Sequence, residues 1–231
     1  MQDIQANLER VRERIARAAE RAGRRAESVL LIGVSKTVEV ARIREALAAG
    51  LTALGENRVQ EARAKIAELG RPVGWHLVGQ LQTNKAKDAV ELFDVIHSLD
   101  RLELAQELHK RALQRGRPVE VLVQVNLAGE AQKGGVAPES LGGLLEAVAA
   151  LDHVRVRGLM AIPPETPDPE DTRVWFRTLR KLGERVALPE LSIGMSADFE
   201  VAIEEGATMV RVGTAIFGAR PPRPGKEPGE R

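Results

Sequence analysis

The sequence has no cysteine and no tyrosine, and aromatic residues make up only 3% of it. The first absence excludes disulfides, thiolate metal sites and cysteine nucleophiles. The second removes the phenol as a general acid, base or nucleophile. An excess of one charge is also lacking: 34 Lys and Arg against 33 Asp and Glu leave a formal net charge of +1. That balance gives no electrostatic footprint for nucleic acid or an acidic membrane surface, and the basic residues recur at helical spacing as solvated faces do. No apolar run is long enough to span a bilayer, and the opening Met1-Gln2-Asp3-Ile4-Gln5 lacks the basic and apolar regions of a signal peptide. A soluble, cytoplasmic monomer is expected, with neither nucleic acid nor membrane as partner. His76, His97, His109 and His153 show no paired ligand spacing. Each is expected to be a packed or surface residue rather than a metal ligand.

What the chain does have is alternation. Ile4, Leu8, Val11 and Ile15 recur at helical spacing and predict an amphipathic helix ending near Gly23. Strand-like runs follow at residues 29–35, 53–57, 75–81, 94–99, 120–126, 154–162, 190–194 and 208–212. Helical patterns separate them, among them residues 38–49, 102–115, 172–185 and 198–205, and three of these close on Gly50, Gly116 and Gly206. Strands alternating with helices imply parallel pairing, and eight such units in 231 residues predict an α/β fold, a (β/α)8 TIM-type barrel with an extra N-terminal helix. The rival, an open doubly wound sheet, would usually carry a glycine-rich phosphate loop after its first strand. Here that turn reads Ser35-Lys36-Thr37-Val38-Glu39. A single barrel domain is expected over residues 1–220. The proline-rich stretch 163–169 is read as a long βα loop, and 221–231 as a disordered Pro/Gly-rich tail.

The active face of such a barrel lies at the strand C-termini. Lys36 ends the first apolar run, where the period of two aligns it with Leu30, Ile32 and Val34. A lysine at the mouth of an apolar core loses its charge more easily, and a neutral amine attacks aldehydes. Asn57, Gly79, Gln80, Ser98, Asn126 and Met160 collect at the ends of strands two to six, each weak evidence alone. The last two strands say more. Gly194-Met195-Ser196 and Gly213-Thr214-Ala215 stand where barrels of this kind hold phosphate, although Ser196 also suits a simple helix cap before 198–205. Met209, Arg211 and Gly213 share one parity, Val210 and Val212 the other, which turns Arg211 into the barrel with no obvious carboxylate partner. A mouth lysine, an inward arginine and a phosphate corner describe a pyridoxal phosphate site.

Several longer segments carry a resemblance. They are Gly33-Val34-Ser35-Lys36-Thr37, Gly55-Glu56-Asn57-Arg58-Val59-Gln60-Glu61, residues 75–85 beginning Trp75-His76-Leu77-Val78-Gly79-Gln80, and His97-Ser98-Leu99-Asp100. Gly158-Leu159-Met160 and residues 191–218, from Leu191-Ser192-Ile193-Gly194-Met195-Ser196 to Gly213-Thr214, complete the set. Together they resemble the pyridoxal phosphate homeostasis proteins, relatives of the barrel half of alanine racemase. Ile193 stands where many members have methionine, an apolar swap that should leave the site intact.

The resemblance implies pyridoxal 5'-phosphate as cofactor, with Lys36 in the Schiff-base position. It places Ser196, Gly213 and Thr214 at the phosphate, Arg211 beside the pyridine nitrogen, and Asn57 and Met195 along the pocket. It implies no catalytic residue: members hold the cofactor and related B6 vitamers and balance their supply, with cofactor-dependent client enzymes as further partners. Two alternatives stay open, an amino-acid racemase or decarboxylase of the alanine-racemase type and a Schiff-base aldolase. Racemisation by the related enzymes uses a lysine and a tyrosine from a second domain; this chain has no tyrosine, and no sequence for that domain is expected in it. The aldolase would need inner-face carboxylates, of which the sequence places none. Lys133, in the loop Glu130-Ala131-Gln132-Lys133-Gly134, is a candidate second acceptor for the cofactor, although an exposed loop lysine explains it as well.

Overall fold

Asp3 opens the fold by accepting a hydrogen bond from the Ala6 amide, capping helix α1 (Ile4–Arg21). The computed structural model describes residues 3–130 and 132–219, so the expected tail at 221–231 lies outside the described residues. The apolar stripe of Ile4, Leu8, Val11 and Ile15 is buried, and α1 packs against the last two helices of the described chain, α8 (Phe199–Glu204) and α9 (Thr214–Phe217). The added N-terminal helix therefore lies over the seam where the barrel closes.

Among the described residues eight parallel strands form a closed barrel in chain order, β8 pairing back onto β1. They are β1 (Leu30–Val34), β2 (Ala53–Glu56), β3 (Gly74–Leu77), β4 (Val95–Leu99), β5 (Val119–Gln124), β6 (Val154–Met160), β7 (Glu190–Ser192) and β8 (Met209–Val212). Helices α2 (Val40–Ala48), α3 (Val59–Leu69), α4 (Ala86–Leu92), α5 (Leu102–Arg115), α6 (Leu141–Ala149) and α7 (Arg173–Arg185) connect the first seven. The strand–helix alternation read from the sequence is the alternation of the fold.

The two faces of the strands build two cores. Ile32, Ala53, Val95, Leu122, Met160 and Met209 fill the barrel interior, with Leu30 and Ile162 against them. Alternate residues such as Leu54, Leu77, Ile96, Val210 and Val212 face the helices in the larger outer core. Met160 is thus a core filler. The strands stop earlier than the apolar runs do: β3 ends at Leu77 rather than 81, β5 at Gln124, β6 at Met160 and β7 at Ser192. Val78, Leu81, Val125 and Ile193 remain buried beyond those ends, and the amides of Val78, Val125 and Ile193 still donate to neighbouring strands, at the carbonyls of Glu56, Met160 and Met209.

Candidate functional site

Lys36 lies two residues beyond β1, half-buried, in a turn closed by a hydrogen bond from the Val38 amide to the Ser35 carbonyl at 2.9 Å. Thr37 occupies the left-handed region at φ 62°, an unusual place for a β-branched residue. A buried network holds the backbone on both sides of the lysine. Lys65 of α3 donates to the Ser35 carbonyl at 2.6 Å, to Glu56 at 2.7 Å and to Glu61 at 2.8 Å. Glu61 in turn accepts from the Thr37 amide at 2.5 Å, and the Ser35 hydroxyl donates to Glu56 at 2.6 Å. Burial raises the Glu56 carboxyl above the usual carboxylate range, and the charge of Lys65 works against that rise. Glu56 faces α3, on the outer side of β2, so it is no inner-face acid of the kind an aldolase would need.

Arg211 enters the barrel interior as its parity required. It is buried, and its Nη1 donates to the Ser192 carbonyl at 2.6 Å and to the Ser192 hydroxyl at 2.7 Å, while Nη2 donates to the Ala161 carbonyl at 3.0 Å. None of these acceptors carries a charge. Desolvation draws the guanidinium down to about 10, and Asp198 opposes this by its charge, with its own carboxylate accepting from the Met195 amide at 2.6 Å. At neutral pH Arg211 is a buried cation with no carboxylate bonded to it among the described residues.

Beside it, Gly194 at φ 87° leads β7 into the Met195-Ser196 segment, and a side chain there would meet the Phe199 backbone at 2.9 Å. Ser196 does not cap α8. Its hydroxyl accepts from the amides of Gly213 at 3.2 Å and Ala215 at 3.4 Å, at the start of α9. Ser196, Gly213 and Ala215 therefore meet at one corner, with Thr214 exposed beside them. Met195 is half-buried above it. Asn57 follows β2 with its Oδ1 buried and lacking a hydrogen-bond partner, as is the Ser98 hydroxyl on β4. Both are polar atoms with unfilled bonding capacity at the ends of strands. A cleft of about 730 Å³ adjoins Asn57, lined further by Arg58, Gly79, Gln80, Leu81 and Lys85.

Two of the remaining sequence candidates have local roles. Asn126 clamps its own loop, donating to the carbonyls of Glu130 at 3.0 Å and Lys133 at 3.1 Å. Lys133 pairs with Glu130 at 2.9 Å and donates to the Pro163 carbonyl at 3.0 Å, tying the β5 loop to the β6 loop.

The histidines hold what sequence spacing missed. Although distant along the chain, they meet in two pairs, His76 with His97 and His109 with His153, at ring centroid distances of 5.1 and 5.6 Å. His109, Asp152 and His153 gather on the outside, toward the strand N-termini, with ligand atoms within 4.8 Å of one another. His76 and His97 lie inside the barrel and reach Arg211 through Ser192.

Barrel, strand-end lysine and helix-start corner define a class, and comparison with known proteins agrees: residues 6–221 match the family described as alanine racemase, N-terminal domain. An alanine racemase from Clostridium difficile shares the fold at 16% identity, with a TM-score of 0.74 over 95% of this chain and 57% of that one. A protein of Aquifex aeolicus named pyridoxal phosphate homeostasis protein is 51% identical over 220 residues, 92% of this chain and 96% of its own. PipY of Synechococcus elongatus, solved with PLP bound, superposes at a TM-score of 0.78 with 43% identity over 88% of this chain and 100% of that one. The chain belongs to the pyridoxal phosphate homeostasis protein family. The names of these homeostasis relatives describe balance of a cofactor, not turnover of a substrate.

Proposed function

We propose that the protein binds pyridoxal 5'-phosphate at the C-terminal mouth of its barrel, on Lys36, and takes part in cofactor homeostasis without turning over an amino acid. The observation that carries this reading is Arg211. A buried guanidinium bonded only to neutral oxygens suits an acceptor supplied by a bound molecule, such as a pyridine nitrogen. The residues present fit the group elsewhere too. Asn57 Oδ1 is a buried polar atom awaiting a partner, and the amides of Gly213 and Ala215 already converge on an oxygen, that of Ser196.

Pyridoxal phosphate brings an aldehyde, which condenses reversibly with a primary amine and releases water. In this reading Lys36 supplies the amine, and the Lys65–Glu56–Glu61 network holds its backbone in place. Ser196, Gly213 and Thr214 take the phosphate, Arg211 meets the ring nitrogen, and Asn57 and Met195 line the pocket. A fixed cation at that nitrogen disfavours its protonation and so weakens the ring as an electron sink, which suits storage better than carbanion chemistry. No helix among the described residues is long and apolar enough to cross a membrane. Residence in the cytoplasm, contact with client enzymes and a monomeric state belong to the same proposal.

The test is spectroscopic. Titrating the protein with pyridoxal phosphate should produce a saturable visible absorption band, and Lys36→Ala should lose it. A band of unchanged position and strength in Lys36→Ala would overturn the assignment.

A further inference from the structure

The barrel interior contains a polar chain that binding alone does not call for. Arg211 Nη1 donates to Ser192 Oγ at 2.7 Å, Ser192 Oγ lies 2.9 Å from His97 Nδ1, and His97 Nε2 lies 2.9 Å from His76 Nδ1. All four residues are buried, at 4%, 0%, 0% and 5% exposure in that order. The chain crosses the barrel from β8 and β7 to β4 and β3.

Its polarity is dictated from one end. A guanidinium only donates, so the Ser192 oxygen must accept from Arg211. A hydroxyl has one hydrogen, and in a dry interior leaving it without an acceptor is costly. The acceptor in reach is His97 Nδ1, which must then be unprotonated. The proton of His97 sits on Nε2 and is donated to His76 Nδ1, so His76 also carries its proton on Nε2. A cationic histidine here would face Arg211 at close quarters. Burial, His76 and Arg211 all hold His97 well below its ordinary range, in that order, and burial pulls His76 to about 4.

We propose that His97 and Ser192, backed by His76, are positioning residues for the bound cofactor. Ser192 fixes Arg211 by accepting from Nη1 at both its carbonyl and its hydroxyl, Ala161 engages Nη2, and His97 polarises Ser192 Oγ as an acceptor by accepting its hydrogen bond. The guanidinium is then held against rotation, and because it only donates, the atom it meets in the site must be an acceptor. This rests on the functional reading above for the identity of the ligand, and on the described hydrogen bonds alone for the relay.

Two measurements test it. The first uses protein without ligand: long-range proton–nitrogen NMR of the histidine rings should find both His76 and His97 neutral at pH 7 with the proton on Nε2. A proton on His97 Nδ1 overturns the relay. The second titrates pyridoxal phosphate into His97→Leu and His97→Gln, with Ser192→Ala alongside, after urea unfolding has identified the variants that fold. His97→Leu and Ser192→Ala should bind roughly tenfold more weakly and with a shifted visible band, the weight of one hydrogen bond to a charged group. His97→Gln, whose amide oxygen can accept from Ser192, should recover most of that loss. Folded His97→Leu and Ser192→Ala variants with unaltered affinity and spectrum would overturn the positioning role. Failure of the unmodified protein to take up pyridoxal phosphate overturns the functional reading instead, and the NMR result still decides the relay.

Discussion

Lys36 is held by residues that never reach the mouth. Lys65 and Glu56 are a buried ion pair at 2.7 Å, with side-chain exposures of 7% and 0%. Removing one partner strands the other in a dry interior, so Lys65→Met should cost about 3–5 kcal/mol in urea unfolding and weaken pyridoxal phosphate uptake by loosening the Ser35 and Thr37 backbone. The double variant Lys65→Met with Glu56→Gln should regain part of the stability. The histidines give a second prediction at this scale. The native pKa of His76 is depressed from 6.5 to about 4, so below pH 6.5 the unfolded chain binds its proton first. Stability is therefore lost as pH falls from about 6.5 to about 4, by about 3 kcal/mol for one such group. His97, depressed further, works in the same direction. Glu56 works the other way, because its raised native pKa favours the folded protein as pH falls. Urea midpoints followed by tryptophan fluorescence across pH 4–7 should decline toward acid in the unmodified protein and decline less in His76→Gln.

At the scale of elements, helix ends show where local rules are kept and where they are strained. Helix α5 ends on Gly116 at φ 77°, a left-handed stop glycine adopts at little cost. Helix α7 ends with the same geometry on Ala187 at φ 55°, with the Leu188 amide bonded back to the Gly183 carbonyl at 2.9 Å. Ala187→Gly should therefore raise stability by about 1 kcal/mol, and Gly116→Ala should lower it by a similar amount, both read from urea midpoints. The elements themselves were legible because each strand is an apolar run bounded by turn residues, and residues 102–115 were read as a helix with the bounds α5 has. Strand ends were not, because Val78, Val125 and Ile193 stay buried and still bond to the neighbouring strand after regular pairing has stopped. The inward turn of Arg211 followed from parity. The relay did not: His76, His97 and Ser192 are separated by 21 and 95 residues and meet only when the barrel closes. Glu56 and Lys65 stand nine residues apart in the sequence, but only the packing of α3 on β2 makes them partners.

For the molecule as a whole, Arg211 is buried inside the barrel, Lys36 stands just beyond β1, and the sequence has no tyrosine to oppose them. In the proposed relay the acceptor nitrogen of each inner histidine is already hydrogen-bonded, His97 Nδ1 by Ser192 and His76 Nδ1 by His97, so neither is placed to act as a second base. A missing general base typically costs about a hundredfold to ten-thousandfold in rate. Incubating the cofactor-loaded protein with L-alanine in deuterated water should therefore give no α-deuteration above the level of free cofactor, and rapid formation of deuterated D-alanine dependent on Lys36 would favour a racemase. Whether Lys36 is the residue that captures the cofactor is decided by chemical trapping. Protein mixed with pyridoxal phosphate is reduced with borohydride, digested and mapped. A phosphopyridoxyl label is expected on the peptide containing Lys36, and a label on Lys85 or Lys133 with Lys36 unmodified would refute the assignment.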